Sequence, residues 1–370
     1  MARVPLLLTC VVAGAAGTAW AEVVPWLYDV EIVVASQRDV DRRRAAGAAL
    51  AEVLTRVTGL RETPFVAQVD GAIQESERYY VRYGFATREI EPEAGGDVIP
   101  QTYLAVHFER GALLDLLRRT GLPVWSADRP TVLVWVVLEG ALSRGARGAR
   151  QVVSSASTGV LQEVALAMHR EARRRGIMLT VPLMDLEDRV LGATDLWGGF
   201  WTAIMRASRR YAHDLVLLGR VTANPRSGWS SHWEFQSSGG ERDLAATFVH
   251  GGSSAAAVAG EAVHRVADAL AQRFAVRGGD LDTIALTVRG AQTVRGYAAV
   301  LNYLQSREYI NRVDVSTVEP SALHLRLHSR SARDQLVELL LMGGYLSESR
   351  SASTSRLAAP GLELEWMGAR

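Results

Sequence analysis

The chain has no lysine and a single cysteine, Cys10, so all 41 basic residues are arginine, set against 40 acidic ones. Without lysine there is no Schiff-base nucleophile and no Walker-type phosphate loop. With one cysteine the chain forms no internal disulfide, and its stability must come from buried surface. A net charge of +1 gives no electrostatic footprint for nucleic acid. Beyond the amino terminus no apolar run is long enough to span a membrane, so an integral membrane protein is not expected. The eight histidines show no H-E-x-x-H spacing, and Ser154, Ser155 and Ser157 lack a G-x-S-x-G elbow.

What is present begins with an address. Arg3, an apolar run from Leu6 to Ala16 and the triplet Ala19-Trp20-Ala21 form the pattern of a cleavable secretory signal. Cleavage is expected after Ala21, leaving a periplasmic, cysteine-free protein. Leu7-Leu8-Thr9-Cys10 fits a lipoprotein box poorly.

The remaining chain, 48% hydrophobic and 22% charged overall, reads as globular and too long for one core. The expected fold class is α/β, in the broad α+β sense, in three parts. Residues 22–128 read as strand, helix, strand, strand, helix: Leu27 to Val34, Asp39 to Val57 with Ser36 as N-cap, Tyr79 to Phe85, Thr102 to Phe108, and Gly111 to Thr120. Residues 129–277 read as a three-layer α/β unit. Its strands are Thr131 to Leu138, Ile177 to Leu183 and Asp214 to Val221, and its helices Thr158 to Arg174 and Phe200 to Tyr211. A hairpin (Gly228 to Gln236, Leu244 to His250) and a last helix, Ser254 to Phe274, close it. The Arg-Gly-rich stretch 140–151 reads as a mobile loop. Residues 278–370 follow a ferredoxin-like β-α-β-β-α-β order, with a flexible serine-rich segment at 347–359.

Two groups of residues are candidates for a site. Asp185, Glu187 and Asp188 follow an expected buried strand, where ligands of open α/β sheets collect. They could hold Ca²⁺ or Mg²⁺ or act as an acid/base pair. Alternatively Asp185 and Asp188 cap a helix start or pair with Arg189. Trp229 and Trp233 share one strand face, and Trp197 and Trp201 lie at roughly helical spacing. If exposed, they make a protein or sugar platform; if covered by a helix, they are core. Tyr211, in the Arg209-Arg210-Tyr211-Ala212-His213-Asp214 stretch, is a further binding candidate.

That stretch, together with Leu27-Tyr28-Asp29-Val30, Val53-Leu54-Thr55-Arg56-Val57-Thr58-Gly59, Pro182-Leu183-Met184-Asp185-Leu186-Glu187-Asp188 and Gly228-Trp229, resembles a proteobacterial family of exported proteins, domain of unknown function number 2066. At the fold level the middle part resembles the N-terminal domain of TolB-type periplasmic proteins, which implies binding to other envelope proteins. The expected function is a non-catalytic periplasmic scaffold for envelope assembly, with envelope proteins and the cell wall as expected partners and no cofactor. A divalent-metal-dependent hydrolase of envelope polymers and a peptidoglycan or polysaccharide binder are the alternatives.

Overall fold

Alternation around Val30 and the apolar stripe behind it fold as strand and helix in a computed structural model that describes residues 22–90, 98–140, 149–224, 228–238, 244–348 and 361–368. The expected signal at 1–21, residues 141–148 of the Arg-Gly stretch and residues 349–360 of the serine-rich segment lie outside the described residues. The molecule is mixed α/β.

The first part holds β1 (Glu22–Val23), β2 (Asp29–Val33), α1 (Asp39–Thr58), α2 (Ala67–Gln74), β3 (Tyr80–Ile90), β4 (Ile99–Phe108), α3 (Arg110–Thr120) and β5 (Asp128–Arg129). β2, β4 and β3 pair antiparallel in that order. Helix α1 buries Leu50, Val53, Leu54 and Val57 in the core of this part. Its N-cap is Arg38, not Ser36; the Ser36 hydroxyl instead accepts the Arg38 N–H and bonds Asp41. Gly59 ends the helix with φ 71°, a turn that glycine makes without strain.

The middle part holds β6 (Val132–Glu139), β7 (Arg150–Val152), α4 (Val160–Arg175), β8 (Leu179–Thr180), α5 (Ala193–Gly198), α6 (Trp201–Ser208), β9 (Leu215–Asn224), β10 (Gly228–Ser237), β11 (Ala245–Gly252) and α7 (Ala255–Phe274). The sheet runs β11-β10-β9-β6-β7, with β8 also beside β6. β6 is buried on both faces, as its unbroken apolar run requires. Val132, Val134, Val136 and Leu138 join the core that includes α4 and α7. Leu133, Trp135 and Val137 join the one that includes α5 and α6. The expected strand Ile177 to Leu183 shrinks to Leu179–Thr180, because Pro182 has no N–H to continue the ladder.

The third part holds β12 (Asp282–Arg289), α8 (Val294–Gln305), β13 (Ile310–Val318), β14 (Ala322–Ser329), α9 (Arg333–Met342), β15 (Leu346–Glu348) and β16 (Leu362–Trp366). Its sheet order is β13-β14-β12-β16-β15. The first five elements follow the split β-α-β pattern, and the end departs from it. β15 runs antiparallel to β16, which is parallel to β12, so β15 has the direction a crossover from β14 through α9 demands. β16 then inserts between β12 and β15 and pushes β15 to the edge. The sixth element is thus two strands where one was expected.

Buried side chains of the middle and third parts form one contiguous cluster, from Val134 through Leu270 and Phe274 to Val300 and Leu339. The first part meets them through three buried arginines: Arg56, Arg129 and Arg175. Among the described residues no carboxylate pairs with Arg129. Its Nε donates to the Ser126 carbonyl, Nη1 to those of Arg175 and Gly176, and Nη2 to those of Arg56 and Trp125, at 2.7–3.1 Å. Its guanidinium stacks 3.9 Å from the Trp125 ring centroid. Burial pushes this group down to about 9, which leaves it charged at neutral pH. Its charge offsets the negative ends of α1 and α4, whose last carbonyls it gathers. Arg175 donates to the Gly59 carbonyl at 2.9 Å and to Asp268 at 2.8 Å. Nearby, Asp128 pairs with Arg307, while Glu308 accepts from Ser126 at 2.9 Å and Tyr28 at 3.2 Å.

Candidate functional site

After β8 the chain leaves the sheet at Pro182 and makes a tight loop, Leu183 to Leu191, before α5. Two carboxylates build the loop. Asp185 Oδ1 accepts the N–H groups of Glu187 and Asp188, at 3.0 and 3.1 Å, and so shapes the bend that leads into the 3₁₀ turn Asp188–Val190. Asp188 is fully buried. It accepts the Tyr211 hydroxyl at 2.5 Å, the Met184 N–H at 2.9 Å and Arg210 Nη1 at 3.2 Å. The Tyr211 hydroxyl also accepts the Leu183 N–H at 3.0 Å, and its ring stands edge-on to Trp135, 6.5 Å between centroids.

Arg210, just past α6, closes the cluster. It grips Asp185 in a fork, at 2.6 and 2.7 Å, and reaches Glu187 at 3.4 Å. The guanidinium holds the Asp185 carboxyl well below the usual carboxylate range, helped by the Asp188 N–H. Burial, then the bond to Asp188, pushes the Tyr211 hydroxyl up. Met184 takes φ 58°, the only non-glycine residue in that region among the described ones. A methionine there costs about 1–2 kcal/mol. It is held by Asp188 at its N–H and by Arg189, whose Nε donates to its carbonyl at 3.3 Å.

What this framework presents to water is apolar. Leu183 is 54% exposed, Leu186 83% and Val190 79%. Beside them a groove of about 300 Å³ runs between the turn and α6, lined by Val190, Leu191, Ala203, Arg206, Arg209 and Arg210. Among the described residues Arg206 and Arg209 have no acidic partner.

The first part adds a family resemblance to this geometry. Residues 21–126 match the family described as a domain of unknown function (DUF8605). The match covers the first sheet and its core, and it stops short of the Leu183 to Leu191 loop. Among curated proteins, none matches the chain.

The geometry regroups the residues singled out from sequence. Asp185, Asp188 and Tyr211 do come together, and Arg210 joins them, whereas Arg189, one of the alternative partners of the acids, donates to the Met184 carbonyl. The three carboxylates are taken by Arg210, Tyr211 and backbone N–H groups. Among the described residues no group of three or more His, Cys, Asp or Glu could hold a metal ion. Of the residues considered for a Ca²⁺ or Mg²⁺ site or an acid/base pair, Asp185 and Asp188 are engaged by Arg210, and Glu187 is exposed. Trp229 and Trp233 do share a face, and it is the face covered by α7: Trp233 is fully buried and Trp229 packs against the same cluster. They form no surface platform. Trp197 and Trp201 lie on the opposite side of the sheet, half-buried in the α5–α6 layer. Trp197 stacks under Arg150 at 4.4 Å, and Trp201 Nε1 donates to Glu234 at 3.0 Å. Leu183, Leu186, Val190, Arg206 and Arg209 were not singled out. The arginine pair Arg209-Arg210 after an amphipathic helix was the available signal.

Proposed function

We propose that the protein is an exported, non-catalytic binding module that docks another protein of the cell envelope on the Leu183 to Leu191 loop. One observation carries this reading. A buried carboxylate and a left-handed methionine are maintained to hold Leu183, Leu186 and Val190 in water. Backbone strain of this kind concentrates where recognition occurs, and three exposed apolar side chains within one loop support an interaction site there. A rigid loop also loses little entropy on binding. The resemblance to exported family number 2066 and the TolB-like character of the middle part belong to this proposal, because TolB-type proteins work by binding partners in the envelope. The amino-terminal signal supports the compartment. The tryptophans take no part in this docking surface.

A photo-crosslinking amino acid placed at 186 or 190 in the expressing cell tests it. A discrete protein adduct is expected at both positions. None is expected at Phe65, which is 94% exposed and remote in sequence from the loop. Leu186→Ser with Val190→Ser is expected to abolish the adduct formed from a probe at 183 without lowering the melting temperature. Adduct yields at 186 and 190 no higher than at 65 would refute the assignment.

A further inference from the structure

The three larger sheets end on β2 and β3, on β11 and on β7 with β8, and on β13 and β15. An exposed edge offers a row of unpaired N–H and C=O groups, and proteins blunt such rows with charge, bulges, proline or brevity. Most edges of this molecule are blunted. β2 carries Asp29 and Glu31. β3 carries Arg82, Arg88 and Glu89, with a register shift between Tyr80 and Arg82. β13 carries Arg312 and Asp314, with shifts at two places along its pairing with β14. β7, β8 and β15 have three residues or fewer.

β11 has none of these devices. Its eight residues, Ala245-Ala246-Thr247-Phe248-Val249-His250-Gly251-Gly252, contain no acid, arginine or proline. Its register with β10 is unbroken from Trp229↔Gly252 to Gln236↔Ala245. Phe248 turns toward the core under α7, while Val249 on the other face is 68% exposed.

We infer that β11 is a dimerisation edge, on which a second copy of this chain adds its own β11 antiparallel to form one continuous sheet. The chemistry of an open strand edge selects another extended backbone. Charge selects the copy. A charged partner strand finds no carboxylate or guanidinium on β11, whereas two copies of β11 bring none of their own to the seam. At β3 or β13 the same self-pairing would bring charged side chains to the seam. Antiparallel self-pairing is also a closed two-fold arrangement, the commonest in soluble oligomers. One strand pair makes a small interface, so the dimer is expected to be weak. This surface is separate from the docking loop, and each reading can fail alone.

Sedimentation equilibrium of the full chain from about 1 to about 200 μM, with hydrogen exchange at both ends of that range, tests the inference. The dimer fraction is expected to rise with concentration, and amides at 245–252 to exchange more slowly as it does. Val249→Lys is expected to weaken the dimer at least about tenfold, and Val315→Lys on the bulged β13 to leave it unchanged. The exchange arm reads the native chain, so it stands even if a variant folds poorly. A monomer at every concentration overturns the inference. So does a dimer whose exchange at 245–252 ignores concentration, or a monomer that binds an added 245–252 peptide.

Discussion

Trp233 occupies the space that a side chain at position 219 would need. The two residues are cross-strand partners on β10 and β9, and a Cβ on Gly219 would stand 2.2 Å from the Trp233 ring. The indole lies over the glycine and is sealed by α7. Gly219→Ala is expected to cost about 1–3 kcal/mol through overpacking, read as a lower urea midpoint with unchanged m-value. Gly71→Ala, where no atom lies within 4 Å, serves as the contrast and should not destabilise.

Relief of strain in the loop is expected to offset lost packing. Met184→Gly removes a left-handed penalty of about 1–2 kcal/mol but also a side chain packed on the α5–α6 layer and about 0.5–1 kcal/mol of backbone entropy, so the melting temperature should shift little. Tyr211→Phe is expected to destabilise, because it leaves the buried Asp188 short of a charge-assisted bond worth about 1.5–3 kcal/mol. Hydrogen exchange should then speed up at Leu183 and Met184 before the rest of the middle part. Equal acceleration throughout that part would mean the loop has no separate support.

Arg129 should be irreplaceable by lysine. Its planar fork serves five carbonyls at once, and an ammonium has three donors on one nitrogen. Arg129→Lys and Arg129→Met are each expected to lose more than about 3 kcal/mol, since buried carbonyls are left without donors. Denaturant melts followed by tryptophan fluorescence report this directly. A lysine variant as stable as the parent would contradict the five-carbonyl role.

Acid should loosen the loop. The folded-state pKa of Asp185 is depressed, so its contribution is present above the unfolded value near 3.9 and disappears as pH falls toward the folded one. Melting temperature is thus expected to fall below about pH 4, and Asp185→Asn should flatten part of that slope while lowering stability at neutral pH. The pair is exposed, so the effect is modest and should shrink in salt. An Asp185→Asn profile parallel to the parent from pH 6 to pH 2 would remove the pairing from the account.

Local pattern made much of the fold legible. Val294–Gln305 and Ile310–Val318 fall where periodicity puts them, because Thr293 caps one and alternation marks the other. Other elements depend on what surrounds them. Helix α5, Ala193–Gly198, is bracketed by Gly192 and Gly199 and forms because Asp195 accepts the Gly192 N–H and Leu196 is buried. Helix α2 contains Gly71 and has no side-chain N-cap, and is held by burying Val69 and Ala72. In the site, the acids were legible and their partner was not. Arg210 lies 25 residues from Asp185, and only the packing of α6 on the sheet brings them together. The placement of Trp233 was undecidable from alternation, which reveals that residues share a face without revealing what covers it.

The insertion of β16 has a consequence for biosynthesis. It leaves the ribosome after every other strand of its sheet, yet its place lies between two of them. Until it arrives, β12 and β15 have no common neighbour, and the core shared by the middle and third parts stays open along that seam. Nascent chains halted before Leu362 should therefore remain protease-sensitive well back into the middle part, however long they wait.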